Sequence, residues 1–181
     1  PTTISGGTLT LGSSGRLGST GSITITGGSL DLGSSSQSLA NVVLAGGAVS
    51  GGSISSNTGF DFQSGTAGSA LSGSAKLTKS GAGAVVLGGS NSYTGGTQVD
   101  GGLLTLSING ALPSSGSLTV GGGTLAFGST TQAAGAVTVN GGSLLGGTLS
   151  ATGYNVTSGW VTTKLLGVGA ALTKSGTSTL R

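Results

Sequence analysis

The sequence lacks several residue types on which enzyme chemistry depends. It contains no cysteine, no methionine and no histidine, and its three acidic residues are all aspartate. The absence of cysteine excludes a disulfide framework and thiolate chemistry. Without histidine and cysteine, the common metal sites and the Ser-His and Cys-His nucleophile pairs are excluded as well. We therefore expect a protein without enzymatic activity and without a metal or cofactor.

Charge and long apolar runs are also scarce. Six Lys and Arg residues stand against three Asp, which gives a net charge of +3, and the cations form no run. A patch for nucleic acid or for an anionic membrane surface is therefore not expected. No apolar run approaches the roughly 20 residues of a membrane-spanning helix. No basic segment followed by an apolar stretch opens the chain, so a signal peptide is either absent or already removed.

The abundant residues are glycine, serine and threonine, with 41 Gly among 181 residues. Such a composition is typical of flexible chains unless the sequence has a period. This sequence has one, because LTKSG occurs at 77–81 and again at 172–176, an offset of 95. At that offset GSITITGGSLDLGS (21–34) falls on GSLTVGGGTLAFGS (116–129), and one single-residue slip is needed further on. We interpret residues 1–181 as a single elongated unit with an internal duplication, in which 1–86 is equivalent to 96–181.

A finer period lies inside each copy. Gly-Gly pairs begin at 6, 27 and 46 in the first copy and at 101, 122 and 141 in the second. Apolar residues at fixed distances from these pairs form two columns that we expect to line the core. The columns are Ile4, Ile25, Leu44, Val99, Val120 and Val139, and Leu9, Leu30, Val49, Leu104, Leu125 and Leu144.

The residues around these columns indicate short strands joined by tight corners. Apolar residues alternate with Thr and Ser, which is typical of strands, and Gly-Gly pairs permit sharp turns. The sequence thus predicts an all-β fold, a parallel β-solenoid with about 19–20 residues per turn and turns about 4.8 Å apart. Two tandem units of about 95 residues would make up the rod. A disordered Gly/Ser chain is the alternative, but disorder does not require repeated apolar columns.

The stretch from Leu77 to Leu106, LTKSGAGAVVLGGSNSYTGGTQVDGGLLTL, resembles the autotransporter-associated β-strand repeat of bacterial passenger regions. Val85 departs from the family pattern, where Leu is usual, and a second copy of the pattern begins at Leu172. The resemblance implies a right-handed β-helical passenger segment without enzymatic activity. It also implies export across a Gram-negative-type envelope to the cell surface or beyond. The matching positions are Leu77, Thr78, Lys79, Gly81, Gly83, Leu87, Gly89, Asn91, Tyr93, Thr94, Gly95, Gly96, Thr97, Gly101, Gly102 and Leu104.

The duplication register also suggests a partner. Arg181 is equivalent to Val86 and Pro1 to Gly96, so the end of one chain leaves off nearly where the start of the next resumes. Solenoid ends expose unpaired backbone groups, and a contact that does not close gives a filament. We therefore expect the chain to bind itself head to tail, as a subunit of a surface fibre or adhesin stalk. A segment of a longer solenoid, or a chain with arbitrary ends, is the alternative.

The few charged side chains do not indicate a reaction centre. General acid–base chemistry would fall on Asp31, Asp61 and Asp100, whose counterparts in the other copy are Ala126, Asn155 and Ser5. The duplication therefore keeps no acidic position. Lys79 and Lys174 are equivalent to each other, and we expect them to keep a fibre soluble rather than to bind an anion.

Two ligand-binding alternatives remain open at this stage. Tyr93, Tyr154 and Trp160 could stack on the sugar rings of a surface glycan, although a core or corner role is more common for such residues. Ranks of threonine such as TLT (8–10) and TIT (24–26) could bind ice, but their counterparts are LLT and TVG.

Overall fold

The computed structural model describes residues 1–18 and 21–176, and all of its regular structure is β. Within these residues no helix is present that is long and apolar enough to cross a membrane. The strands belong to one continuous sheet. They are β1 Thr2–Ile4, β2 Thr8–Thr10, β3 Ile23–Ile25, β4 Ser29–Asp31, β5 Ser36–Leu44, β6 Ala48–Ser50, β7 Ser53–Phe62, β8 Gly65–Ala67, β9 Ala70–Ser72, β10 Leu77–Lys79, β11 Ala84–Leu87, β12 Thr97–Val99, β13 Leu103–Leu106, β14 Leu118–Val120, β15 Thr124–Ala133, β16 Ala136–Ser150, β17 Gly153–Val161, β18 Lys164–Leu166 and β19 Ala171–Lys174.

Most strands pair in parallel with the strand one turn earlier and the strand one turn later, whereas β1, β2, β9, β18 and β19 each pair with one described strand. The longest ladder runs through β1, β3, β5, β7, β10, β12, β14, β16, β17 and β19. Parallel neighbours require a crossover, and nearly all such crossovers in proteins are right-handed. The molecule is thus a right-handed parallel β-solenoid of about nine turns, which confirms the fold class predicted from the sequence. The division into two units of 95 residues stays a prediction.

The length of a turn varies more than the sequence period suggests. Phe62 pairs with Lys79, 17 positions later, whereas Val99 pairs with Val120, 21 positions later. The variation arises in the connections between strands. Long strands such as β7 and β16 pass a corner without a loop, whereas the segment between Leu106 and Leu118 contains two separate turns.

The core is a narrow stack of side chains inside the turns. The paired residues Ile4, Ile25 and Leu44 form one column, and Leu30 and Val49 belong to another. Eleven of the twelve residues expected in the two columns are buried. Leu9 is the twelfth and is 36% exposed, since it lies in the first turn and pairs on one side only, with Leu30.

Gly-Gly corners let successive turns approach closely. Gly47 has a φ of +78°, and a Cβ placed on it would lie 2.0 Å from the carbonyl oxygen of Gly28 in the turn before. A side chain at this position would therefore both strain the backbone and collide with it. The predicted corners therefore need glycine, because the backbones of successive turns stack directly on each other there.

Candidate functional site

The acidic residues of the described parts of the chain are dispersed along the solenoid. Residues 1–18 and 21–176 enclose no detectable pocket and contain no group of three or more residues that could hold a metal ion. The three aspartates lie in different turns, and each bonds to its own neighbours. Asp31 accepts the backbone N–H of Gly33, and Asp100 accepts the side-chain amide of Gln98. Asp61 accepts hydrogen bonds from Gln63 and Ser80.

Lys79 is the most unusual polar residue of the core. Its backbone pairs with Phe62 before it and with Val99 after it, so the side chain points inward from a column position. The residue is 0% exposed. This corrects the expectation that Lys79 is solvated: the strand alternation of Leu77, Thr78 and Lys79 turns the lysine, like the leucine, to the inside.

Three backbone carbonyls bind the Lys79 ammonium. Its Nζ donates to the oxygens of Ser80, Gly81 and Gly101, at 3.0 Å for Gly81 and 3.1 Å for Gly101. The first two belong to the lysine's own turn and the third to the next turn. We call this group the lysine socket. Burial lowers the pKa of Lys79 below its ordinary value, and the negative charge of Asp61 opposes that shift.

Lys174 occupies the same position in the last described turn. Its Nζ donates to the carbonyl oxygens of Ser175 and Gly176, the counterparts of Ser80 and Gly81. Among the described residues no later turn lies over this lysine, and it is only partly buried. Lys174 therefore forms the half of a lysine socket that its own turn supplies.

Apolar side chains surround that half socket. Leu172 is 53% exposed, whereas its counterpart Leu77 is 0% exposed under β12. Leu166 is 43% exposed in the same turn, and Val168 is fully exposed. The last described turn (residues 153–176), which we call the open turn, thus presents core-type side chains on its surface.

A second buried polar residue, Asn91, lies at a corner of the solenoid within residues 77–106. Asn91 is buried, and its Oδ1 accepts the N–H of Leu71 at 2.8 Å while its Nδ2 donates to the carbonyl of Ala111 at 2.7 Å. The amide therefore ties three successive turns together. Tyr93 follows it into the core, with its ring centroid 6.0 Å from that of Phe60.

The aromatic residues predicted as a stacking surface are not gathered on one face. Tyr93 is 0% exposed, and Tyr154 is buried with its hydroxyl bonded to the carbonyls of Leu149 and Leu166. Neither ring presents a face to solvent, so the stacking role suggested for these two residues is wrong. Trp160 is 44% exposed and is the remaining aromatic side chain of the three at the surface.

Two buried amides were missed by the sequence reasoning. Gln37 accepts the N–H of Leu17 at 2.8 Å, and Gln132 accepts the N–H of Leu112 at 3.0 Å. Each amide also donates to a carbonyl in an earlier turn. The signal was present in the sequence, because Gln37 and Gln132 stand 95 positions apart, as do Leu17 and Leu112. Here a polar residue that occurs in both copies of the duplication links neighbouring turns by hydrogen bonds.

Comparison with known proteins supports the resemblance noted in the sequence. Residues 77–106 match the family model described as Passenger-associated-transport-repeat. No curated protein and no solved structure gives a significant match to the chain. The matched segment contains Lys79, Asn91 and Tyr93, which are the buried polar and aromatic groups of the lysine socket and the corner. The chain is therefore a β-solenoid that carries a passenger repeat, and that family is one of secreted or surface-displayed autotransporter passengers.

Proposed function

We propose that the chain is a non-enzymatic structural segment of an extracellular bacterial passenger, and that its copies stack head to tail into a surface fibre or stalk. The observation that carries the proposal is the continuous parallel ladder, whose repeated turns would let one copy extend the sheet of another by strand pairing.

The architecture suits a mechanical role. About nine turns at about 4.8 Å per turn make a rod of roughly 40 Å. Its strands form one sheet, with no interruption that would act as a joint within the described parts. Buried amides and the lysine socket tie neighbouring turns together. Stability in such a stack comes from contacts between neighbours, so length can grow without a wider core.

The two ligand-binding alternatives have less support. Of the three aromatics suggested for glycan binding, Tyr93 and Tyr154 lie in the core, and Trp160 is 44% exposed. The outward column of the longest ladder begins with Thr3 and Thr24 but continues with Val43 and Asp61. An ice-binding surface would need an unbroken rank of threonines.

Negative-stain electron microscopy across a protein concentration series tests the proposal. We expect thin, unbranched filaments whose length increases with concentration, because each end pairs with the opposite end of another copy. Sedimentation velocity on the same samples should show species larger than one chain. Short, separate rods at every concentration would contradict head-to-tail stacking.

A further inference from the structure

Two asparagines of the chain are followed directly by glycine, Asn109 by Gly110 and Asn140 by Gly141. In such a pair the glycine nitrogen can attack the side-chain amide carbon of the asparagine, because glycine has no Cβ to obstruct the approach. Asparagine is accordingly one of the thermolabile residues of proteins. Both asparagines are exposed, so access of water does not distinguish them. The local contacts of the attacking nitrogen and of the amide decide which one reacts.

Asn109 is held by Thr131, which lies one turn later. The Oδ1 atom of Asn109 accepts the backbone N–H of Thr131 at 2.9 Å, and the N–H of Gly110 donates to the carbonyl oxygen of Thr131 at 3.3 Å. The attacking nitrogen and the amide that it would attack are therefore both engaged. Reaction at Asn109 requires this contact to open first.

Asn140 lies where the pairing of β16 changes register. The register with β14 ends at Val139, and the register with β15 begins at Ser143. On the other side of β16, Asn140 is paired with Ser158, and the register shifts before the next pair. Gly141 therefore belongs to no registered pair with the described neighbouring strands.

The side chain of Asn140 has room to turn toward Gly141. Among the described residues, none forms a hydrogen bond with its amide group. The neighbouring turn presents Gly121 at this place, and Oδ1 of Asn140 lies 3.5 Å from the point that a Cβ on Gly121 would occupy. The Oδ1 atom of Asp100 lies 3.3 Å from the same point, on the other side of Gly121. The absence of a side chain at Gly121 thus leaves space between the two polar groups.

We propose that Asn140 is a site of spontaneous covalent modification in the folded protein. The backbone nitrogen of Gly141 loses its proton to a base and forms a bond to Cγ of Asn140. The bond from Cγ to the amide nitrogen breaks, and that nitrogen takes up a proton and leaves as ammonia. Water then opens the cyclic imide at one of its two carbonyls, which gives aspartate or isoaspartate at position 140.

Both products change the same corner of the solenoid. A carboxylate at position 140 faces Asp100 across Gly121, and the two negative charges repel each other. Isoaspartate also inserts one carbon into the backbone of β16, which shifts the peptide groups of this corner relative to the turn before. The modification thus adds negative charge and weakens the contact between turns. It does not depend on the head-to-tail stacking proposed above.

Peptide mapping by mass spectrometry, during incubation in mildly alkaline buffer, tests the assignment. In the folded protein, we expect Asn140 to convert at least about tenfold faster than Asn109, the ratio for two ordinary hydrogen bonds. In urea the two rates should be similar, because both residues precede glycine. Equal rates in the folded protein, or faster conversion of Asn109, would overturn the proposal. So would a folded protein that keeps Asn140 intact while the denatured chain is converted.

Two variants serve as matched controls. N140A introduces the residue that the first copy has at the equivalent position, Ala45. It should fold normally and still convert slowly at Asn109. N140D has the new charge without the added backbone carbon, so wild-type protein purified in the isoaspartate form should melt at a lower temperature than N140D. Equal melting temperatures would overturn the role given to the backbone insertion.

Discussion

The hydroxyl oxygen of Tyr93 lies 2.7 Å from Oγ1 of Thr97, and both side chains are buried. The tyrosine enters the core from the corner that precedes β12, and the threonine opens that strand. A hydroxyl buried among leucines and phenylalanines needs a partner, because an unpaired one retains its full desolvation cost. The pair thus fixes the corner of the matched repeat by satisfying two buried groups at once.

Removal of the Tyr93 hydroxyl should weaken the fold measurably. Y93F leaves Thr97 without its partner and should lower the free energy of unfolding by about 1–2 kcal/mol. The double variant Y93F/T97V removes both hydroxyls and should be less destabilised than the sum of the single variants. Urea denaturation followed by circular dichroism measures all three. Strict additivity would show that the two hydroxyls do not interact.

The buried amide of Asn91 should be sensitive to replacement by a carboxyl group. N91D keeps an acceptor for the N–H of Leu71 but turns a carboxylate toward the carbonyl of Ala111, and should lose about 3–5 kcal/mol at neutral pH. Burial raises the pKa of such an aspartate, so its protonated, donating form returns as the pH falls through that raised value. The deficit relative to wild type should therefore shrink at acidic pH.

Denaturation of N91D at about pH 4 and pH 7 checks this expectation. The exposed Asn57, which accepts hydrogen bonds from Ser74, provides the control, and N57D should cost little at either pH. A deficit of N91D that does not change with pH would contradict the role of the Ala111 carbonyl.

The sequence predicted the solenoid because repetition makes its columns visible. Ile25, Leu44 and Val120 align by their distance from Gly-Gly pairs, and they are buried where that alignment placed them. The period alone could not give the exposure of Leu9. Column membership is a property of the repeat, whereas coverage depends on which turns lie on either side.

The lysine socket could not be predicted from composition, because lysine is normally assigned to the surface. Strand alternation through Leu77 and Thr78 would have placed Lys79 inside, but three backbone carbonyls from two turns had to be seen before burial of an ammonium became plausible. The structural role of Gln37, by contrast, could have been predicted, since the duplication has a glutamine at the equivalent position 132. Polar residues kept between copies deserve the same weight as apolar ones.

Glycine positions should divide into those that tolerate a methyl group and those that do not. G47A places a Cβ 2.0 Å from the carbonyl oxygen of Gly28 at a φ of +78°, and should cost at least about 2–3 kcal/mol. G12A meets nothing within 4 Å, and should change stability by no more than about 0.5 kcal/mol. Thermal melts of the two variants measure this difference in stability. Equal melting temperatures would contradict the close stacking of corners.

Trypsin should cleave the chain more slowly after Lys79, the lysine of the socket, than after exposed Lys and Arg residues. Cleavage requires the backbone to open locally, and ladder residues in the middle of the rod open least. We expect early cleavage after Arg16, in the connection between β2 and β3, and after Lys174 in the open turn. Lys79 should stay intact until the whole rod unfolds. Mass spectrometry of a digestion time course, with a heat-denatured sample as control, shows the order; early cleavage after Lys79 would contradict its burial.

Alkaline pH should destabilise the fold through its buried tyrosines. Burial raises the pKa of Tyr93 far above its ordinary value, and it raises the pKa of Tyr154 as well. Both phenols are neutral in the folded and unfolded states below about pH 10, so their effect on stability begins only there. At higher pH the unfolded chain releases the phenolic protons while the folded chain keeps them. The free energy of unfolding should then fall by up to about 1.4 kcal/mol per pH unit for each tyrosine.

Burial lowers the pKa of Lys79, so this residue changes stability with pH in the opposite direction. Its contribution to the free energy of unfolding rises with pH from the lowered pKa up to the ordinary value of 10.5 and is constant beyond that. A decline above pH 10.5 therefore belongs to the tyrosines. Urea denaturation between about pH 9 and pH 11.5 measures it. Y93F should show a smaller slope than wild type, because only Tyr154 still contributes; an unchanged slope would mean that the Tyr93 phenol ionises in the folded state.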